Sequence, residues 1–132
     1  MDVLSFMNFV KKQRIIFFVV LFMAISYVWL FAQSEKIQCT PNLNEDTIVI
    51  QSKKICISNV TTKFGNLVLS SMDSRRCLLS IAEYGTEYVR VDYTNERKQQ
   101  KFTVFEIVVS PNNLVTVSQF DEVGNQINYS AY

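Results

Sequence analysis

Two hydrophobic patterns divide the chain near residue 33. From Ile15 to Ala32 (IIFFVVLFMAISYVWLFA) eighteen consecutive residues carry no charge, and with only Ser26 breaking the apolar character no side of a helix is left to face water. Beyond Gln33 the pattern changes to runs of four to eight residues rich in β-branched and aromatic side chains. In the clearest of these, apolar and polar positions alternate, the period of a strand with one wet face.

Eight segments of the second kind are expected to be strands: Asp46–Ile50, Ile55–Val60, Asn66–Ser70, Cys77–Ile81, Glu87–Tyr93, Phe102–Val109, Leu114–Val117 and Gln126–Tyr129. Their spacing of about ten residues is that of an all-β domain. Tyr88, Arg90 and Asp92 oppose Val89, Val91 and Tyr93, so antiparallel pairing with one solvated face is favoured over a buried parallel sheet. The punctuation agrees: Phe64-Gly65-Asn66, Tyr84-Gly85-Thr86, Ser110-Pro111-Asn112-Asn113 and Val123-Gly124-Asn125 are turn sequences. Ser71 to Ala82 reads as strand, with a short capped helix through Leu79 as the competing reading. The fold class expected is mainly β: an N-terminal transmembrane helix followed by a small antiparallel β-barrel or β-sandwich-like domain.

At about 1.5 Å per residue, the uncharged run covers roughly 27 Å as a helix, enough for the hydrocarbon core of a bilayer. Tyr27 and Trp29 near its far end suit an interfacial anchor, and Lys11, Lys12 and Arg14 before it place the N-terminus in the cytoplasm by the positive-inside rule. The organisation expected is a cytoplasmic tail over 1–14, a retained signal anchor over 15–32 and an extracytoplasmic domain over 33–132, in a single-pass protein of the bacterial inner membrane. A cleavable signal peptide is the rival, with small residues before a cut at Glu35. The run is longer than a signal-peptide core and ends in bulky aromatics, which favours retention.

Charge and composition narrow what the outer domain can do. From Gln33 onward ten Lys and Arg face eleven Asp and Glu, which gives no electrostatic footprint for nucleic acid. Arg97, Lys98 and Lys101 form a locally basic stretch between two apolar runs, read as a solvated hairpin loop. The chain has no histidine, hence no Ser-His or Cys-His nucleophile pair, and it carries no phosphate-binding or dinucleotide-binding glycine motif. Glu83 and Glu87 flank Gly85 and read as solvated loop carboxylates rather than as an acid and base pair. No catalytic residue, no cofactor and no metal site is expected; the protein is read as a non-enzyme. Three cysteines, Cys39, Cys56 and Cys77, fall on the outer side, where an oxidising compartment permits a bridge. Three pairings are possible. Cys39 with Cys56 is favoured because Cys39 stands in an apparently irregular segment before Pro41, while Cys77 shares a strand face with Leu79 and Ile81 and is expected free and buried.

A short tail (Met1 to Arg14), one anchor (Ile15 to Ala32), an early external cysteine (Cys39) and a β-rich outer domain of about a hundred residues resemble the small periplasmic partners of membrane-bound winged-helix transcription regulators, the ToxS, PsaF and FidL-like proteins. That resemblance implies a partner, another inner-membrane protein whose periplasmic domain this one binds and stabilises or activates, and, as in some members of those families, a small apolar ligand held in a lipocalin-like barrel. The alternative is a structural subunit of an envelope secretion, pilus or conjugation apparatus.

Overall fold

A computed structural model of the chain describes residues 36–132. The tail expected over 1–14, its basic residues, and the membrane segment expected over 15–32 lie outside the described residues. Within them no helix is long and apolar enough to cross a membrane.

Nine strands follow one another: β1 (Gln38–Asn42), β2 (Thr47–Gln51), β3 (Cys56–Thr62), β4 (Leu67–Met72), β5 (Arg76–Ile81), β6 (Gly85–Thr94), β7 (Gln100–Val109), β8 (Val115–Phe120) and β9 (Gln126–Ala131). Eight coincide with the expected segments to within a few residues. They form two antiparallel sheets, one in the order β1-β2-β5-β4 and one in the order β3-β6-β7-β8-β9. Neither closes into a barrel.

The ninth strand, β1, is a correction. Cys39 and Pro41 read as irregular, yet both lie in register with β2, opposite Ile50 and Ile48. The backbone phase explains how a proline fits. Lys36 C=O accepts a hydrogen bond from the Ser52 hydroxyl on the β2 side (3.1 Å), whereas Cys39 C=O receives the Tyr132 hydroxyl at 3.5 Å. Even-numbered residues therefore turn their amides to β2 and odd-numbered ones to the free edge. Pro41 is odd, so its missing N–H falls where the ladder needs none.

The helical alternative over Ser71 to Leu79 is also overturned. Asp73 Oδ1 accepts the N–H groups of Arg75 and Arg76, both at 2.8 Å, and this tightens a hairpin turn between β4 and β5. Those two amides also hold the Asp73 carboxyl below its ordinary value. In the β8–β9 turn Asp121 plays the same part, accepting from Val123 and Asn125 at 3.0 and 2.9 Å. Gly124 there has φ +95, a backbone that a side chain would strain. The basic stretch is a hairpin loop: Asn95 Oδ1 accepts from Arg97 and Gln99 at 3.0 and 2.9 Å, joining β6 to β7.

Alternation places one side of each sheet in a single core. Ile48, Ile50, Leu67, Cys77 and Leu79 of the first sheet are fully buried, as are Val89, Val91, Ile107 and Val115 of the second, with Phe105 nearly so. Each such aliphatic side chain contributes about 1.5–3 kcal/mol by leaving water. One polar atom in this interior has no partner, the Thr47 hydroxyl.

Candidate interaction surface

The two sheets meet along two flanks of opposite character, and the difference locates the candidate surface. On the β3/β4 flank the chain closes on itself. Ile57 N–H donates to Ser74 C=O at 2.7 Å and Ala82 N–H to Asn66 C=O at 2.8 Å. The Arg75 guanidinium donates to the carbonyls of Lys53 and Ile55 at 2.8 and 3.1 Å.

At the centre of that flank stands Glu87, which corrects the reading of a solvated loop carboxylate: it is 1 % exposed. Oε1 accepts the backbone N–H of Lys63 (2.9 Å), Phe64 (2.7 Å) and Tyr88 (3.0 Å). Oε2 accepts those of Asn66 (2.8 Å) and Leu67 (3.3 Å). Burial alone would push its pKa up, but the amides from Phe64, Leu67, Asn66 and Tyr88 outweigh that and hold it below the usual glutamate value. The arrangement fixes the β3–β4 turn. With its lone pairs spent on amides, Glu87 is a structural group and not a general base. The signal was present in the sequence, since counting back by twos from Tyr93, Val91 and Val89 reaches Glu87 on the buried face.

The β1/β9 flank is open. The first sheet has four strands against five in the second, and no residue of β9 is buried, while Val115, Val117 and Gln119 of β8 are. Between the sheets here lies a cavity of about 240 Å³. One wall is formed by residues 36 to 40, the start of β1 and the two residues before it; the other by Asn128, Ser130 and Tyr132; Phe105, Val117 and Gln119 complete the lining. Gln119 is 8 % exposed and its Nε2 donates to Thr103 Oγ1 at 3.1 Å.

The four sheet edges are unequally protected. β3 is irregular between Ile57 and Asn59, and β4 between Leu69 and Ser71, and such bulges discourage further pairing. On β9, Tyr132 and Val115 exchange both backbone bonds (3.2 and 2.8 Å). Tyr129 thus faces outward, where its N–H is taken by Asn128 Oδ1 at 3.0 Å. On β1, Pro41 removes one donor, and Ile37 and Cys39 turn their amides to the same side, where the Tyr132 hydroxyl takes the Cys39 carbonyl and both residues are buried.

All three cysteines are unbonded in the structure, with Cys39 and Cys77 buried and Cys56 exposed. The expected Cys39–Cys56 bridge is not formed; the β1–β2 ladder holds Cys39 instead. Cys39, Ile50 and Cys77 lie in one row across β1, β2 and β5. Two strand spacings, about 9.6 Å, separate the outer pair, beyond the reach of a disulfide. Burial pushes the Cys39 thiol up to about 12, with the nearby Cys77 adding to it, and the Cys77 thiol up to about 11. Both are poor nucleophiles. Among the described residues no group of three or more potential metal ligands comes together. No protein-family model, curated protein or solved structure matches the chain.

Proposed function

We propose that residues 33–132 are a membrane-tethered binding domain on the periplasmic face of a bacterial inner membrane. Its partner is the periplasmic domain of a second inner-membrane protein, a membrane-bound transcription regulator, which it stabilises or activates by β-sheet association. The observation that carries this reading is the open β1/β9 flank, where a four-stranded sheet lies against a five-stranded one and no residue of β9 is buried. A strand from a partner, added to β1, would give the first sheet its fifth member and cover Asn128 and Ser130.

The energetics suit a tethered pair. Ile37 and Cys39 turn two N–H groups and one C=O to this side, the Cys39 carbonyl being held by the Tyr132 hydroxyl, and each is worth about 0.5–1.5 kcal/mol net when bonded, so the intrinsic affinity is low. Confinement of both proteins to one membrane raises their effective concentration without any new contact. If the partner folds only when paired, its abundance follows this chain by mass action.

The test is a slot-filling variant, Asn128→Trp, at an exposed residue of β9. Membrane-extracted protein should co-purify with its partner, the variant should not, and deletion of the chain should shorten the partner's half-life. Capture of the same partner by the Asn128→Trp variant would remove the open flank as the contact. Recovery of secretion or pilus subunits with no membrane regulator would replace the reading by the structural-subunit alternative.

A further inference from the structure

A second site lies on the opposite side of the larger sheet, away from the core. In an antiparallel sheet with one packed face, the outer face is ordinarily polar. Here it carries Tyr88 on β6, Phe102 and Val104 on β7 and Phe120 on β8, with Val104 directly opposite Phe120. Together with Val123 of the β8–β9 turn, which is 85 % exposed, they line a groove of about 400 Å³. That volume is within the range that holds a ligand or an anchoring side chain.

The charges of the groove have one sign. Glu106, Asp121 and Glu122 are the ionisable acids in its lining, and no Lys or Arg is among the lining residues. Two cations border it: Arg90, opposite Val104, pairs with Asp92 at 3.1 Å and lies over the Phe102 ring at 3.9 Å, and Lys63, beside Tyr88, holds its ammonium over the Tyr88 and Phe64 rings at 5.5 and 5.2 Å. Asp121 is committed to its turn. Among the described residues the side chains of Glu106 and Glu122 have no hydrogen-bond or ion-pair partner. Glu106 lies at one end of the row Phe102, Val104, Glu106 along β7, and Glu122, beyond Phe120, lies toward the other. Phe102 and Glu106 are four residues apart, about 13 Å along a strand.

We infer that this groove binds an extended polypeptide segment with an apolar anchor flanked by basic residues at alternate positions, in the pattern basic-x-apolar-x-basic. In extended chain, residues two apart point the same way and residues four apart are separated by about 13 Å. The central side chain then meets Phe102, Val104 and Phe120 while the two cations reach Glu106 and Glu122. The aromatic content of the floor suits such an anchor. The site shares no residue with the β1/β9 flank, so either can fail without the other.

The experiment uses full-length protein in detergent micelles and a labelled pentapeptide with Lys, Phe and Lys at its first, third and fifth positions, followed by fluorescence anisotropy. Saturable binding is expected, weakened about three- to fivefold by Glu106→Gln or Glu122→Gln alone and about tenfold by both, the scale of exposed ion pairs. Val123→Asp, at a fully solvated position that the fold does not depend on, should add a carboxylate and remove an apolar wall; it should weaken peptides whose cations are replaced by Gln while sparing the Lys peptide more. Equal binding of a peptide with Glu in place of Lys, affinity unmoved in the double Gln variant, or no saturable binding of the Lys peptide would overturn the proposal.

Discussion

The β3/β4 flank and the β1/β9 flank are built from the same kind of strand and end in opposite states. One is sealed by a buried carboxylate that gathers five backbone amides and by a guanidinium that gathers two carbonyls. The other is left with a cavity and an edge whose amides point outward. Sealing a sheet flank takes charged groups that are fully satisfied, because a half-satisfied buried charge costs more than an open edge. A flank without such groups stays available for another chain.

The largest expected contrast comes from Glu87. Replacing it by Ala strands the amides of Phe64, Asn66 and Leu67, while the Lys63 N–H keeps the Tyr88 carbonyl, and should lower stability by roughly 3–5 kcal/mol, read from urea unfolding followed by circular dichroism. Asn128→Ala on the open flank should change it by no more than about 0.5 kcal/mol. Equal effects at the two positions would erase the distinction between the flanks.

Acid should act on the sealed flank through Glu87, with Asp73 of the β4–β5 turn, also held below its ordinary value, adding to it. The folded-state pKa of Glu87 is lowered, so its contribution is complete above the unfolded carboxyl value, about 4.3, and is lost as pH falls through the folded value. The wild type should therefore lose stability on acidification below about pH 4, and Glu87→Gln should lose less over that window. A variant with the same acid slope would assign the loss to other carboxylates.

Thiol labelling resolves the flanks more finely. Cys56 should react at once in native protein, since it is exposed. Cys39 on the open edge should follow in mild denaturant, before Cys77 in the interior of its sheet, because edge strands open at lower free energy than central ones. Labelling of Cys77 first would mean that the sheet opens from its other side.

The smallest effect concerns the unpartnered hydroxyl. Thr47→Val removes a buried oxygen without a hydrogen bond and should raise stability by about 1 kcal/mol, visible as a shift of the urea midpoint. A destabilised variant would show that the hydroxyl is used.

Most of the architecture was legible because the expected strands are short runs rich in β-branched and aromatic residues, alternating clearly in β6, β7 and β8, and their turns carry Gly, Pro, Asn or Asp. What escaped was pairing that depends on phase and partner. β1 was hidden because a proline argues against a strand unless one knows which side its nitrogen faces, and that is set by β2. Glu87 was hidden because glycine and tyrosine beside it suggested a loop; only its phase with Val89 and Val91 placed it inside. The open flank has no local signature at all, since it results from the count of strands in two sheets assembled from distant segments.

Pro41 also bears on how far association can go. An unprotected strand edge is a template: each chain that adds to it offers a new edge in turn, and growth has no natural end. By removing a donor after Ile37 and Cys39, the proline shortens the usable length to about three residues, too little to stack copies of this domain into a filament. One added strand would end the association, which is the condition for a strand edge to persist without seeding aggregates.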